Sequence, residues 1–224
     1  MMQKKFDTPA PISAVLDLPA GRVQFIAADR TDTVVEILPA NASKSRDVKA
    51  AEQTTAEYAD GVLRIRTDAP KNQLFGPSGA LDVTVKLPAG SRVEARTAAC
   101  ELRGVGRLGD VTFDGAYHHI KIDEAASLHL TAVDGDVEVG RLDGPARIST
   151  TRGDIRIAEA VRGTLTLATQ SGDISVTAAA GVSAALDAGT THGRISNALT
   201  RTGTTDLDIH ATTSHGDITA RSLA

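Results

Sequence analysis

The residues best placed to do chemistry in this 224-residue chain are aspartates and histidines that return beside a glycine. Gly135-Asp136, Gly153-Asp154, Gly172-Asp173 and Gly216-Asp217 repeat one dipeptide, and Gly193-Arg194 puts a cation in the same frame. A row of such carboxylates is the raw material of a calcium ladder, because Gly- and Asp-rich repeat turns can bind that ion. Calcium takes about six to eight oxygens, one carboxylate per repeat is sparse, and Arg194 would interrupt the row ahead of Asp217. The simpler reading is a turn, in which glycine supplies a positive φ and aspartate accepts a nearby backbone N–H.

His192 and His215 each stand immediately before a corner glycine and would be neighbours on adjacent repeats. His118 and His119 occupy a corner, with His129 nearby. Paired imidazoles can ligate zinc or copper, but no third ligand stands at a suitable spacing, so histidine on a solvated corner is the plainer expectation. Cys100 fills a glycine position. A nucleophile would need a base and an oxyanion donor, and the adjacent Glu101 would point to the opposite side of a strand. No catalytic, cofactor-binding or metal residue is therefore assigned, and no cofactor is expected.

These residues sit in a repeat. Taking the corners as Cys100-Glu101-Leu102, His118-His119-Ile120, Gly135-Asp136-Val137, Gly153-Asp154-Ile155, Gly172-Asp173-Ile174, Gly193-Arg194-Ile195 and Gly216-Asp217-Ile218, the period is about 20 residues, the range of stacked repeat architectures. Seven residues before each corner stand Val93, Val111, Leu128, Ala146, Leu165, Leu186 and Ile209. Five before stand Ala95, Phe113, Leu130, Ile148, Leu167, Ala188 and Ala211; three before, threonine dominates. Residues two apart on a strand share a face, so these columns point inward together. One unit cannot bury that face alone; stacked units can. The fold expected is all-β: a parallel β-solenoid (β-helix) over residues 81–224, with residues 1–80 an irregular β-rich segment and cap of degenerate coils in the same continuous domain. An antiparallel meander, with each Ser-Gly-Asp a hairpin turn, is the rival arrangement.

Within the first third, Ile12–Leu18 reads as an edge strand, followed by strands over 22–27 and 33–38. Asp47–Gln53 has helical composition, and residues 40–58 stay open between that and strand. Asp60-Gly61 predicts a hairpin turn, and the loop tip Leu74-Phe75 could fold over a solenoid end. Leu18-Pro19-Ala20-Gly21-Arg22-Val23 nearly copies Leu87-Pro88-Ala89-Gly90-Ser91-Arg92-Val93, a hint that the first third follows the same coil.

Composition narrows the function classes. The formal charge of −4 gives no basic footprint for nucleic acid. No apolar run approaches the ~20 residues a membrane helix needs, no apolar region follows Lys4 and Lys5 as in a signal peptide, and Cys100 is the single cysteine, so the expected location is cytoplasmic.

At the reiterated Thr-x-x-Gly-Asp-Ile corners and at Leu87-Pro88-Ala89-Gly90-Ser91, the chain resembles a bacterial family of unknown function labelled putative adhesins. Ala28–Asp32 and Asp47–Gln53 resemble its actinobacterial branch. The resemblance spans roughly residues 10–220 and implies a right-handed β-solenoid with no established catalytic residues. The chain departs from the pattern where Cys100-Glu101 and His118-His119 replace Gly-Asp.

The function expected is a non-enzymatic structural or interaction scaffold. Its last coil, ending at Ile218-Thr219-Ala220, should leave an open C-terminal end for a partner strand or for self-association. A carbohydrate-active enzyme on the same scaffold is the alternative, and a metal-loaded solenoid a weaker one.

Overall fold

The computed structural model describes residues 2–68, 79–115 and 119–223. The chain begins with β1 (Met2–Asp7), β2 (Ser13–Ala28), β3 (Asp32–Pro39), α1 (Ser45–Gln53), β4 (Thr54–Ala59), β5 (Val62–Thr67) and β6 (Leu81–Pro88). It continues with β7 (Arg92–Gly115), β8 (Ile120–Thr131), β9 (Val137–Leu142), β10 (Ala146–Arg152), β11 (Ile155–Ala160), β12 (Gly163–Ser171) and β13 (Ile174–Ala178). It finishes with β14 (Ala184–His192), β15 (Ile195–Ala198), β16 (Leu207–His215) and β17 (Ile218–Ser222).

From β7 to β17 every strand pairing is parallel. This is a β-solenoid, and the meander is ruled out. Each turn contributes one strand to each of two facing sheets. The first sheet carries β8, β10, β12, β16 and β14; the second carries β8, β9, β11, β13, β17 and β15. The inward columns are continuous: Val111, Leu128, Ala146, Leu165, Ile209 and Leu186 are successive partners, as are Phe113, Leu130, Ile148, Leu167, Ala211 and Ala188. The opposite sheet stacks Leu102, Ile120, Val137, Ile155, Ile174, Ile218 and Ile195. Strands lie roughly 4.8 Å apart, so each column is a rod of apolar carbon, and the buried side chains form one core from Ile12 to Ile218.

The order of the last coils departs from the order of the chain. Leu165 pairs not with Leu186 but with Ile209, and Ile209 then pairs with Leu186. Likewise Ile174 pairs with Ile218, and Ile218 with Ile195. The β16–β17 coil is thus inserted between β12–β13 and β14–β15. The expectation of an open edge over the final coil is corrected: among the described residues, the uncovered edge at this end of the stack belongs to β14 and β15. The physical reason is apolar content. Leu207, Ile209, Ala211, Ile218 and Ala220 are all buried, whereas β15 is exposed along its length and carries Asn197 in an inward column. A coil with a polar residue facing the core is cheaper to leave at the end than to bury.

The first third continues the stack in one direction and closes it. β2 runs parallel to β7 on one side and to β5 and β6 on the other, so it is a central strand and not an edge. Leu18 pairs with Thr97 and Val23 with Leu102, whereas Leu87 and Pro88 pair with Ala27 and Ala28, and Arg92 and Val93 with Ser13 and Ala14. The near copy at Leu18–Val23 is therefore not the structural equivalent; the shared Pro-Ala-Gly serves two different bends. β3 and β4 reverse direction, pairing antiparallel with β6 and β5. The Asp60-Gly61 turn is confirmed, both residues having left-handed φ values of 51° and 77° as a two-residue hairpin demands. Residues 45–53 form a helix, which packs on β3, β5 and β6 and buries Ala50 and Ala51. Its Asp47 is buried too, and Oδ1 accepts the Ala80 N–H at 3.1 Å. β1 pairs with β3, Phe6 packs on Tyr58 with ring centroids 5.7 Å apart, and Lys4 Nζ donates to the Ala56 carbonyl at 2.7 Å. The two sheets are thereby joined at this end. Leu74-Phe75 lies outside the described residues.

Candidate functional site

The corners at Thr169, Thr190 and Thr213 are clamps between coils, whereas Thr150 Oγ1 donates within its own corner, to the Arg152 carbonyl at 3.1 Å. Thr169 Oγ1 donates to the Gly153 carbonyl of the neighbouring coil at 3.1 Å, Thr213 to Gly172 at 3.1 Å, and Thr190 to Gly216 at 3.0 Å. The glycines permit that approach. A Cβ on Gly172 would stand 2.1 Å from the Gly153 carbonyl oxygen, and one on Gly216 2.0 Å from that of Gly172. The aspartates complete the clamp. Asp136 Oδ1 accepts the Asp154 N–H at 2.8 Å, Asp154 Oδ1 accepts that of Asp173 at 2.8 Å, and Asp173 Oδ1 that of Asp217 at 2.7 Å.

Arg194 ends this ladder instead of interrupting it. Its N–H donates to Asp217 Oδ1 at 2.8 Å and its guanidinium to Oδ2 at 3.1 Å. The Arg194 N–H, then its side chain, hold the Asp217 carboxyl below the usual carboxylate range. An arginine offers no acceptor to a further coil, which suits the last position. The aspartates are therefore coil fasteners, as the turn reading expects, with the cap reaching across coils and not within one.

The histidines fall out as follows. His192 and His215 are stacked, ring centroids 4.8 Å apart and planes 3° from parallel, the adjacency the sequence implies. His119 Nε2 lies 3.9 Å from Glu138 Oε2, which Lys121 Nζ holds at 3.0 Å; Lys121 is the chief cause of a lowered Glu138 pKa. His129 has Thr112 and Arg147 as sheet neighbours. His118 lies outside the described residues. Sequence reading passed over His210, whose Nδ1 is 3.4 Å from Asp187 and Nε2 3.2 Å from Asp208. Its signal was an outward position flanked at i−2 by a carboxylate. Among the described residues no group of three or more His, Cys, Asp or Glu is placed to hold a metal ion.

Cys100 is buried, and desolvation pushes its thiol up to about 11, against a smaller pull from Thr97. A thiol so held stays protonated and is a poor nucleophile. Glu101 points outward to Arg22, 3.2 Å away. The outward columns of the first sheet read Thr112, His129, Arg147, Thr166, His210, Asp187 and Asp114, Thr131, Ser149, Ala168, Thr212, Gly189. A depression of about 400 Å³ beside them is lined by Thr164, Ala185, Arg201, Asp206 and Asp208.

A family model described as Toastrack DUF4097 matches residues 23–221. The chain belongs to this family. The Toastrack fold is also seen in a putative adhesin from Bacteroides fragilis, 12% identical over 98% of this chain and 96% of that one, with a TM-score of 0.50. A putative cell adhesion protein from Clostridium sporogenes is 11% identical over 99% of each chain, with a TM-score of 0.37. A putative lipid binding protein from Parabacteroides distasonis is 12% identical over 97% of this chain and 96% of that one, also with a TM-score of 0.37. No curated protein matches the chain. Among the described residues of this Toastrack chain, no helix is long and apolar enough to cross a membrane.

Proposed function

We propose that this Toastrack protein is a non-enzymatic, adhesin-like scaffold that engages a protein partner through the uncovered edges of β14 and β15. The observation that carries the reading is the unequal finish of the two ends. At one, the charged edge strands β1 and β4 are bridged by the Phe6–Tyr58 pair and by the Lys4 bond to the Ala56 carbonyl. The other leaves β14 and β15 with no strand on their outer side among the described residues, the Ala184 N–H alone being taken by the Thr200 carbonyl at 3.0 Å, and such an edge templates pairing with another chain. The stack behind them, pinned by the corner clamps, holds the edges rigid. The outward columns of threonine, serine and isolated charges support a display role over sugar chemistry, and Phe25 and Phe113, two of the few rings, are buried in the core.

The proposal treats residues 1–80 and 81–224 as one continuous unit and places the protein in the cytoplasm, which cell fractionation checks. The decisive experiment puts a photo-cross-linking residue at Ser196 on the open coil and, separately, at Thr166 in mid-face, in the native cell. Cross-links to protein from Ser196 and not from Thr166 are expected. Cross-links from Thr166 alone, or turnover of an acidic polysaccharide by the purified chain, would overturn the reading.

A further inference from the structure

We propose that the occupant of the open end is a second copy of this chain, docked end to end as a closed two-fold dimer. The proposal rests on the open-end reading above and names its partner.

The two ends of the solenoid are built for opposite outcomes. β1 (MQKKFD) and β4 (TTAEYA) carry Lys4, Lys5 and Glu57, and charged residues on an edge strand discourage pairing. Lys4 also occupies the Ala56 carbonyl. β14 and β15 carry no lysine and no proline, and they hold an unbroken register against β16 and β17. Their inward columns finish on Leu186, Ala188 and Ile195, the last 46% exposed, with Val182 and Leu199 beside them partly buried and the exposed Asn197 the one amide among them.

That contrast selects the partner. A filament would need an open end to meet a capped end, and the capped end presents lysines and a helix. Another open end presents free backbone and aliphatic side chains, the matching surface. Like-to-like contact is isologous and stops at two copies. Charge supports the same arrangement. With Ala188 opposite its own copy across antiparallel β14 strands, Asp187 faces Gly189 and not a second Asp187. The Arg194 end of each strand then lies toward the partner's Ala184 end, where Asp206 and Asp208 flank Leu207, the sheet neighbour of Ala184. Arg194 is 90% exposed, and it would exchange its guanidinium contact with Asp217 for these carboxylates.

Size sets the strength. A nine-residue strand is about 30 Å long and the two sheets with their side chains about 20 Å deep. Each copy would cover about 600 Å², less than the ~800 Å² of a standard partner. The expected dimer is reversible, with a micromolar dissociation constant.

Analytical ultracentrifugation of the full chain from 1 to 200 µM tests this. A monomer–dimer equilibrium with no larger species is expected. Ile195→Lys on the exposed β15 should weaken it at least tenfold, and Val133→Lys, on an exposed corner away from the open end, should leave it unchanged. Should Ile195→Lys misfold, amide exchange of the native chain gives a second readout: the outward-facing amides of residues 184–198 should exchange more slowly at 200 µM than at 1 µM. Species growing beyond the dimer, or a dimer indifferent to Ile195→Lys, would overturn the proposal. So would a monomer throughout; if Ser196 still cross-links to a cellular protein, the open-end reading survives that loss, and if it does not, both fall.

Discussion

At Gly172 the backbone φ is 152° and the position of a missing methyl is filled by a carbonyl oxygen from the next coil; at Gly181 φ is 76° and the same position is empty to 4 Å. The two glycines therefore predict different outcomes for one substitution. Gly181→Ala should cost about 1 kcal/mol, the strain of a left-handed alanine. Gly172→Ala should cost about 3 kcal/mol or more, because the Thr169 hydroxyl bond to the Gly153 carbonyl and the Asp173–Asp154 contact hang on that close approach. Urea denaturation of both variants checks the ranking. A second residue-scale prediction concerns Asp217. Its folded pKa lies below the ordinary carboxylate value, so its contribution to stability is fully present above the ordinary value and fades as pH falls through the depressed one. The Arg194 amide proton shift should follow that titration with a midpoint below the ordinary carboxylate range. In Asp217→Asn the step should vanish.

Between elements, the feature that matters is the placement of β16–β17. Ser171 pairs with His215, and His215 with His192. Ser171 and His192 are thus two strands apart, about 10 Å, beyond the ~7 Å Cα limit for a disulfide. Oxidation of Ser171→Cys with His215→Cys should cross-link the chain, and Ser171→Cys with His192→Cys should not; the coil order of the chain itself predicts the reverse. Gel mobility under non-reducing conditions reads the result, with buried Cys100 out of reach. Much at this scale was legible in the sequence. The inward columns were, because stacking forces equivalent residues into register. The Asp60-Gly61 hairpin was, because only that backbone closes a two-residue loop. Coil order was not, because every coil offers its neighbours the same aliphatic face. Two residues did carry it. Arg194 stands where an acceptor is needed for any further coil, and Asn197 stands where a buried coil needs carbon; both mark an end. The first edge strand was misplaced for a related reason. Ile12–Leu18 alternates as an edge strand does, and nothing local says that β5 and β7 will flank it.

Taken whole, the molecule is a stack in which each coil touches mainly its neighbours, so local stability should follow position in the stack and not position in the chain. Amide exchange at 1 µM should be slowest in β10, β12 and β16 and fastest in β14 and β15, although β14 and β15 precede β16 in sequence. Exchange that instead quickened steadily from β12 through β14 to β16 would contradict the insertion. The insertion also bears on how the chain is made. A ribosome releases β14 and β15 before it has finished the coil that belongs beneath them. During synthesis those strands either wait undocked or take a berth they later surrender, so the closing step of assembly fills a gap within the stack instead of lengthening it.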